Sequence, residues 1–338
     1  MTHIAKMIQD KLNGVAHSKD DFDVMVKMLR DKTYDEAQLA AWLMAVRCLG
    51  LSQEETADLT MAMVTKPTGE DVLTSVIDKH STGGVGDSVT LLVVPIVAAC
   101  GVPLIKLSGK MLGFTGGTID KLLAIPGIDL EKRPVDIKKQ VEEVGAYTRI
   151  IIEETNQPIA NVIGTGLEIQ NIYSILNNEL DVCEREDHLI EVSLNIAAEM
   201  LSLAKGIPYE EAEAQCLTAW DSGAAKRVFE KMIKAQNGRL NDLMKELPKN
   251  QYKVTALSGG VVHTINTIKV GQLVNDYAAS DEYEYGIDPL FGIKLEKHLG
   301  DPVKQNDTLV TIFYNDSLDK RKLQSLIDEL VSCYKIKK

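Results

Sequence analysis

Aromatic residues are scarce in this sequence, because Phe, Trp and Tyr together make up 5% of its 338 residues. A stacking platform for the bases of single-stranded nucleic acid is therefore not expected. Positive charge is also in deficit, since the formal net charge is −12. This balance argues against non-specific binding to nucleic acid or to an anionic membrane surface. A small anionic substrate stays open, because local charge decides that kind of binding.

Cysteine is sparse and long apolar runs are interrupted. No two cysteines form a CxxC pair or a tight Cys/His cluster; they are Cys48, Cys100, Cys183, Cys216 and Cys333. We therefore expect reduced thiols and no metal site. The apolar run at residues 89–105 is broken by Pro95, Gly101 and Pro103, so no membrane span is predicted. The first residues resemble an amphipathic helix rather than a signal peptide, so we expect a cytoplasmic protein.

The spacing of apolar residues divides the chain into three predicted domains. Residues 1–66 have helical periodicity and predict a helical N-terminal domain. Residues 67–245 alternate short β-like runs with helices, which is typical of a layered α/β domain with phosphate-binding loops. Residues 246–338 predict a small α+β C-terminal region. The predicted fold class is therefore α/β with a helical N-terminal domain and a small α+β C-terminal region.

Local signals mark several element ends. Thr33-x-x-Glu36 and Ser52-x-x-Glu55 are capping-box patterns at the starts of predicted helices. The sequence KVTALSGGVVHTINTI, residues 253–268, predicts two paired strands that turn at its glycine pair. Residues 292–315 predict a hairpin that resembles the hammerhead of lipoyl and biotinyl modules. Because no lysine lies at its tight turn, we interpret this hairpin as scaffold.

The stretch DKHSTGGVGDS, residues 78–88, follows a predicted strand and opens a predicted helix. Glycines such as Gly83 and Gly84 let backbone N–H groups converge, and a helix N-terminus adds positive potential. Lys79 supplies a full charge, and Ser81, Ser88 and Thr90 supply hydroxyls. The spacing matches neither GxxxxGK[ST] nor the dinucleotide-binding GxGxxG. The stretch therefore predicts an anion site of another type.

A second stretch, KLSGKMLGFTGGT at residues 106–118, repeats this chemistry with Lys106, Ser108 and Thr118 among its glycines. Loops that follow neighbouring strands of one sheet face a common crevice, where ligands of open α/β sheets bind. Each loop alone is equally well explained as a tight turn with capping hydroxyls. Two loops, each with a lysine and hydroxyls, favour a shared phosphate site.

Several motifs resemble the signatures of the thymidine and pyrimidine-nucleoside phosphorylases. They are DKHSTGGVGD, SGKMLGFTGGTIDKLLAIPG, EETADLTMAMV, NQPIANVIGTGLEIQ and GIKLEKHLGDPVKQNDTLVTIFYN, in collinear order with the family over nearly the whole chain. The resemblance implies a nucleoside phosphorylase class II-like fold. It also implies cleavage of a pyrimidine nucleoside by inorganic phosphate, which gives the free base and a pentose 1-phosphate.

The same resemblance implies roles for individual residues. It places phosphate against a set with hydroxyl or ammonium groups, namely Lys79, Ser81, Thr90, Ser108 and Thr118, while Lys106 matches a position that is lysine in only some members. His80 matches a histidine near the sugar and base. It is a candidate proton donor to the leaving base, although a hydrogen-bonded loop histidine explains it equally well. Phosphate is then a co-substrate, no organic cofactor is implied, and a monovalent cation near the first loop stays open.

The sequence departs from the family pattern in two ways. In the second loop, Lys110 replaces an arginine, Met111 a glycine and Phe114 a histidine, and a lysine does not reproduce the bidentate fork of arginine. More importantly, the segment that carries the base-binding arginine, serine and lysine of the family has no counterpart here. Altered or lost base recognition is therefore expected, with Lys110, Asn156 and Gln157 as candidate replacements.

Two functions stay open from the sequence. The first is a pentosyltransferase that phosphorolyses a nucleoside whose base is recognised differently, in which Asn161 and Thr165 are further candidates for the rebuilt pocket. The second is a non-catalytic protein that binds phosphate or a phosphosugar as a regulatory or partner subunit. A homodimer is expected in either case, because family members pair through the helical domain and residues 1–66 keep its pattern.

Overall fold

The computed structural model describes residues 2–64, 79, 84–102, 104, 117–129, 158–179, 187–283, 286–316 and 318–337. The contacts between residues divide the chain into two compact units, Met1–Val72 and Leu73–Lys338. The division into three domains at residues 66 and 245 stays a prediction.

The first unit is helical, as its apolar periodicity predicts. Its helices are α1 (His3–Leu12), α2 (Lys19–Arg30), α3 (Glu36–Leu49) and α4 (Gln53–Val64). One apolar stripe of each helix turns inward, and the buried side chains form a core of Ile4, Met7, Phe22, Met25, Val26, Trp42 and Ala62. Burial of these side chains, at roughly 1.5–3 kcal/mol each, is what holds the short helices together.

One of the two predicted capping boxes is confirmed. The backbone N–H of Glu55 donates to Ser52 Oγ, and the Glu55 carboxylate accepts the backbone N–H of Ser52. The prediction at Thr33 is wrong, since α3 begins two residues later and its cap is Asp35, which accepts the backbone N–H of Gln38. An aspartate is at least as good a cap as a threonine, so the local competition favoured Asp35.

A buried ionic cluster lies inside the first unit. Lys11 Nζ contacts both carboxylate oxygens of Glu55 at 2.9 and 3.0 Å, and the backbone N–H of His17 donates to the same carboxylate. Burial alone would raise the pKa of Glu55. The N–H groups of Ser52 and His17 and the Lys11 ammonium outweigh burial and lower that pKa from 4.5 to about 2. The carboxylate is therefore charged wherever this unit is folded near neutral pH.

His17 belongs to the same cluster and is neutral. The indole N–H of Trp42 donates to His17 Nε2 at 3.0 Å, so that nitrogen carries no proton. Burial is the largest influence on its pKa and lowers it below 6.5, against the attraction of the Glu55 carboxylate. Protonating His17 at Nε2 would replace the acceptor of the indole N–H with another N–H, so that two donors would face each other.

We expect the first unit to lose stability in acid in two steps. Below pH 6.5 the unfolded chain takes up a proton at His17 more readily than the folded unit does, so stability falls. Between about pH 4.5 and 2 the loss of the Glu55 charge removes roughly 2–3 kcal/mol more. Urea unfolding followed by Trp42 fluorescence in a Trp220→Phe background measures this. Glu55→Gln should remove the second step, whereas Glu54→Gln, an exposed neighbour, should leave it; equal profiles for these two variants would contradict the assignment.

In the second unit, several helices pack around one apolar helix. Its described helices are α5 (Val89–Ala99), α6 (Thr118–Leu122), α7 (Thr165–Leu176), α8 (Asp187–Lys205), α9 (Tyr209–Asp221), α10 (Ala224–Ala235), α11 (Leu240–Leu243), α12 (Thr267–Ala278) and α13 (Lys320–Cys333). All residues of α5 from Val89 to Val97 are buried. A helix that is apolar on every side must lie in a core, and α8, α9 and α10 pack around it.

Two antiparallel sheets form the C-terminal region with a second apolar core. The strands are β1 (Val162–Ile163), β2 (Asn250–Thr255), β3 (Gly260–Ile265), β4 (Gly292–Leu295), β5 (Pro302–Val303), β6 (Thr308–Tyr314) and β7 (Tyr334–Lys337). One sheet has the order β1-β4-β6-β2 and the other β5-β3-β7. The pairing of β1 with β4 joins the α/β part to the C-terminal region, with Val162 opposite Lys294.

The predicted strand pair around the glycines 259 and 260 is wrong in its pairing, although both strands exist. β2 pairs with β6 and β3 pairs with β5 and β7, so the chain changes sheet between them. Gly260 has a φ of +156° and lies so close to β7 that a Cβ would meet the Lys337 carbonyl oxygen at 2.2 Å. Glycine here serves a close strand approach rather than a hairpin turn.

Among the described residues, no helix has both the length and the apolar character needed to cross a membrane.

Candidate functional site

The exit of the first glycine loop leads directly into α5. Gly84 and Gly86 have φ values of +101° and +70°, a region that glycine enters without steric cost. A Cβ on Gly86 would also press against the backbone of Ala160 at 3.2 Å. The turn therefore lets the loop pass close to the segment before β1 and delivers Ser88 and Thr90 to the start of α5.

The side chains of Lys79 and Thr90, two of the predicted phosphate-binding residues, contact each other. Lys79 Nζ donates to Thr90 Oγ1 at 2.9 Å, and both residues are buried. Because Thr90 accepts from the lysine, its own O–H proton is directed elsewhere and can be donated to a ligand oxygen. The ammonium and the first turn of α5 both contribute positive potential here. Among the described residues, this pair joins a positive charge and a hydroxyl donor at the predicted anion site.

Thr118 is buried at the start of α6, where the second loop ends. The backbone N–H of Gly117 just before it already donates to the Asp120 carboxylate at 2.6 Å. In the first loop, Asp87 likewise accepts the N–H of Val89. These two amides are therefore bonded within the protein, which shifts the expected contacts with an anion from amides toward hydroxyl and ammonium groups.

A buried ion pair holds the end of the first loop, just before α5, in place. Lys121 Nζ lies 3.1 Å from Glu168 Oε2 and donates to the Asp87 carbonyl at 2.7 Å. Glu168 also accepts the hydroxyl of Ser88 at 2.7 Å and the backbone N–H of Gly164. These bonds tie α6 and α7 to the residues that precede α5. The network therefore fixes the start of α5, which carries Thr90.

Sequence reasoning missed Lys121 and Glu168 as members of the site. The available signal was the presence of charged residues within two otherwise largely apolar stretches, IDKLL and GLEIQ. Such residues are rarely fully buried unless they are paired. No spacing rule, however, connects positions this far apart in the chain before the fold is known.

A small cavity adjoins this ion pair. Its volume is about 20 Å³, and its lining includes Lys121, Gly164, Thr165 and Glu168 together with Asn275 of α12. This volume holds about one water molecule, whereas small-molecule sites usually measure about 300–1,000 Å³. The cavity therefore belongs to the support of the loop and is too small for a nucleoside. Thr165 is one of its lining residues.

Asn161 has a structural contact. Its side-chain oxygen contacts His298 Nε2, and its backbone carbonyl accepts the N–H of Leu295. Asn161 thus connects the segment before β1 to the hairpin of the C-terminal region. The other sequence-predicted site residues lie outside the described residues, namely His80, Ser81, Gly83, Lys106, Ser108, Lys110, Asn156 and Gln157.

Comparison with known proteins gives the same order of parts. Three family models match: the helical bundle domain of the glycosyl transferase family at residues 5–66, its a/b domain at residues 73–176, and the pyrimidine nucleoside phosphorylase C-terminal domain at residues 261–337. The pyrimidine-nucleoside phosphorylase of Bacillus subtilis (strain 168) is 30% identical, with 91% of each chain covered. The chain belongs to the pyrimidine-nucleoside phosphorylase family. The enzyme of the same name from Geobacillus stearothermophilus is 29% identical, with the same coverage.

The family confirms the fold class expected from the sequence, including the helical N-terminal bundle, the α/β domain and the C-terminal region. Among solved structures, anthranilate phosphoribosyltransferase (TrpD) from Thermus thermophilus is similar, with a TM-score of 0.50 and 14% identity. The match covers 68% of this chain and 99% of that one, and it shows the fold alone. The alignment with the Geobacillus enzyme runs over 402 positions, more than the 338 residues here, so stretches of that relative have no counterpart.

Proposed function

We propose that this protein is a pentosyltransferase that uses inorganic phosphate to cleave a nucleoside into free base and pentose 1-phosphate. The observation that carries the proposal is the buried Lys79–Thr90 pair at the start of α5, in a chain that belongs to a phosphorylase family. A buried ammonium beside a hydroxyl donor suits a bound oxyanion, because both groups can donate hydrogen bonds to it.

The proposed mechanism is mainly electrostatic and positional. Phosphate attacks the anomeric carbon while positive charge develops on the sugar, and the anion itself stabilises that charge. Lys79 and Thr90 hold one side of the phosphate, and Ser81, Ser108, Thr118 and Lys106 complete its contacts. His80 protonates the leaving base. The ion pair of Lys121 with Glu168 keeps the first turn of α5, and with it Thr90, in the position that holds the phosphate for the attack.

Recognition of the base differs from that of the relatives in this proposal. A pocket that reads a pyrimidine edge must pair its polar groups with that edge, and it gains selectivity from doing so. The gaps in the alignment with the Geobacillus enzyme support a rebuilt pocket. We assign its polar groups to Lys110, Asn156 and Gln157. Asn161 is the weaker candidate, because its side chain already contacts His298.

The proposal includes no organic cofactor, since phosphate is the co-substrate. The oxygens around Lys121, from Asp87 and Glu168, are of the kind that a monovalent cation takes. Lys121 Nζ already contacts both residues at 2.7 and 3.1 Å. The ammonium therefore supplies the positive charge at this position, and the proposal assigns no metal ion to it.

The test is a panel of nucleosides incubated with the protein, with and without phosphate. We expect phosphate-dependent release of free base from at least one of thymidine, uridine, deoxyuridine, adenosine and inosine, measured by chromatography. Release without phosphate would indicate hydrolysis and contradict the proposal. The panel should be read together with the thermal stability of the protein in phosphate, because a ligand that binds only the folded state raises its unfolding temperature.

A second candidate function is a non-catalytic subunit that binds phosphate or a phosphosugar. The missing alignment positions and the replacements at Lys110 and Phe114 favour it. It predicts a phosphate-dependent rise in unfolding temperature with no base released from any nucleoside. Catalysis and binding are thus separated by one pair of measurements.

We also propose a cytoplasmic homodimer that pairs through the first unit. The side chains of Leu43, Met44 and Leu49 on α3 and of Met61 and Met63 on α4 are each more than half exposed. Exposed apolar side chains of this number in one small unit are typical of a surface that a partner covers, and a second copy of the chain is the partner that the family implies.

Changing Leu43 and Met44 together to lysine is expected to halve the mass of the protein in solution. Two charged groups in an apolar interface cannot be paired by the same two groups on the second copy, since the charges are alike. Sedimentation equilibrium measures the mass. The matched control is Leu247→Lys, because Leu247 is still more exposed but lies in the second unit. A parent protein that is already monomeric would refute the dimer.

A further inference from the structure

We propose that Cys100 and Cys216 form a redox-active dithiol, which a hydroperoxide converts into a reversible disulfide. Cys100 is the residue that caps the C-terminal end of α5, and Cys216 lies on α9. Cys100 Sγ donates to the backbone carbonyl of Gln215 at 3.5 Å, and Gln215 immediately precedes Cys216. Each thiol also shifts the pKa of the other, as expected of neighbouring side chains. The fold thus brings two cysteines that are far apart in the sequence next to each other.

The surroundings assign different roles to the two sulfurs. Cys100 is half-buried and reachable from solvent, whereas Cys216 is fully buried in the apolar core. The neighbouring Cys216 thiol lowers the pKa of the Cys100 thiol, and the nearby Lys205 ammonium adds to this against the effect of burial. The Cys100 thiol and burial both raise the pKa of Cys216. Because Cys100 is the sulfur that solvent reaches, we assign it as the attacking thiolate and Cys216 as the resolving thiol.

The reaction balances with one molecule of hydrogen peroxide. The Cys100 thiolate attacks a peroxide oxygen, the O–O bond breaks, and hydroxide leaves while Cys100 becomes a sulfenic acid. The Cys216 sulfur then attacks the Cys100 sulfur, the S–O bond breaks, and the departing hydroxide takes the Cys216 proton as water. Two thiols lose two electrons in total, and the peroxide is reduced to two waters. A small dithiol reductant reverses the change.

The disulfide would fasten the end of α5 to α9. Because the first turn of α5 carries Thr90, oxidation would act on the same helix that presents the phosphate-binding hydroxyl, although the proposal of a dithiol does not depend on catalysis. Cys333 is a useful comparison, because it is buried like Cys216 but lies on α13 in the other core of the second unit.

The experiment is a peptide map of the full-length protein after treatment with hydrogen peroxide. Free thiols are alkylated in denaturant, and the chain is digested with trypsin without reductant. We expect the peptide of residues 80–106 joined to that of residues 206–226, with a mass two hydrogens below their sum, and its loss after reduction. Cys333 should be fully alkylated in the same sample. Full alkylation of Cys100 and Cys216 in a sample whose exposed Cys48 is oxidised would overturn the proposal.

Two variants test the roles of the sulfurs. In Cys216→Ser, dimedone should trap a sulfenic acid at Cys100, because the resolving thiol is gone. In Cys100→Ser, oxidation of Cys216 should be at least about tenfold slower than disulfide formation in the parent. Cys333→Ser is the matched control and should keep the linked peptide. Equal oxidation rates of Cys216 with and without Cys100 would overturn the assignment of Cys100 as the attacking thiolate.

Discussion

Replacing Lys121 with methionine is expected to lower the free energy of unfolding of the second unit by about 3–5 kcal/mol. Methionine keeps the length and apolar contacts of the lysine stem but removes the ammonium. Glu168, which is as deeply buried as Lys121, then loses its cation while it still accepts Ser88 and Gly164. A buried charge without its partner costs more than the pair contributed, because desolvation of the remaining carboxylate is no longer compensated.

Urea unfolding measures the loss, with Trp220 as the fluorescent reporter of the second unit in a Trp42→Phe background. The matched control is Lys249→Met, which breaks the exposed pair with Asp316 and should leave the stability nearly unchanged, because solvent screens such a pair. Combining Lys121→Met with Glu168→Gln should recover part of the loss, since the second change removes the uncompensated charge. Similar losses from the buried and the exposed lysine would show that Lys121 does not hold the loop.

The parts of the fold that were predictable depend on local patterns. Helix α5 is visible as an apolar run that follows a glycine loop, and Gly50 marks the end of α3 with a φ of +74°. The Ser52–Glu55 box is likewise a pattern within one helical turn. Apolar spacing and caps act over one or two helical turns, so they can be read before tertiary structure exists.

The parts that were not predictable depend on contacts between distant residues. The glycine pair at 259 and 260 has the composition of a hairpin turn. β3 nevertheless pairs with β7, a strand near residue 338, and not with β2. The wrong cap at Thr33 arose from a choice between two good capping residues two positions apart. Long-range pairing energies decided the first case and a small local difference decided the second.

The candidate site shows the same division between local and distant information. Lys79 and Thr90 were predicted from one motif to lie at the same site, and their side chains contact each other at 2.9 Å. Lys121 and Glu168 lie outside the motif and were missed, because their role depends on the fold burying them against each other. The number of backbone N–H groups available to an anion was also overestimated, since the carboxylates of Asp120 and Asp87 already accept hydrogen bonds from two of them. Composition shows that a loop can bind an anion, but only the fold shows which donors are already used.

Replacing Lys79 with alanine is expected to lower the catalytic efficiency of phosphorolysis at least about 10²-fold to 10³-fold, the usual cost of losing one preorganised donor. The loss should fall mainly on phosphate, because Lys79 acts on the anion and on the direction of the Thr90 hydroxyl. The phosphate-dependent rise in unfolding temperature should disappear with it. That second measurement keeps the prediction testable even where no nucleoside is cleaved.

Three companion variants separate the charge of Lys79 from its hydrogen bond. Lys79→Arg keeps the charge and should retain part of the phosphate response, while Thr90→Ser should retain most of it and Thr90→Val should lose it, because valine has the shape of threonine without a proton to donate. Lys226→Ala, at a partly exposed position of α10, controls for a general loss of positive charge and should respond to phosphate as the parent does. If the parent responds and Lys79→Ala still matches it, the anion binds elsewhere, and the proposed role of the buried Lys79–Thr90 pair is refuted.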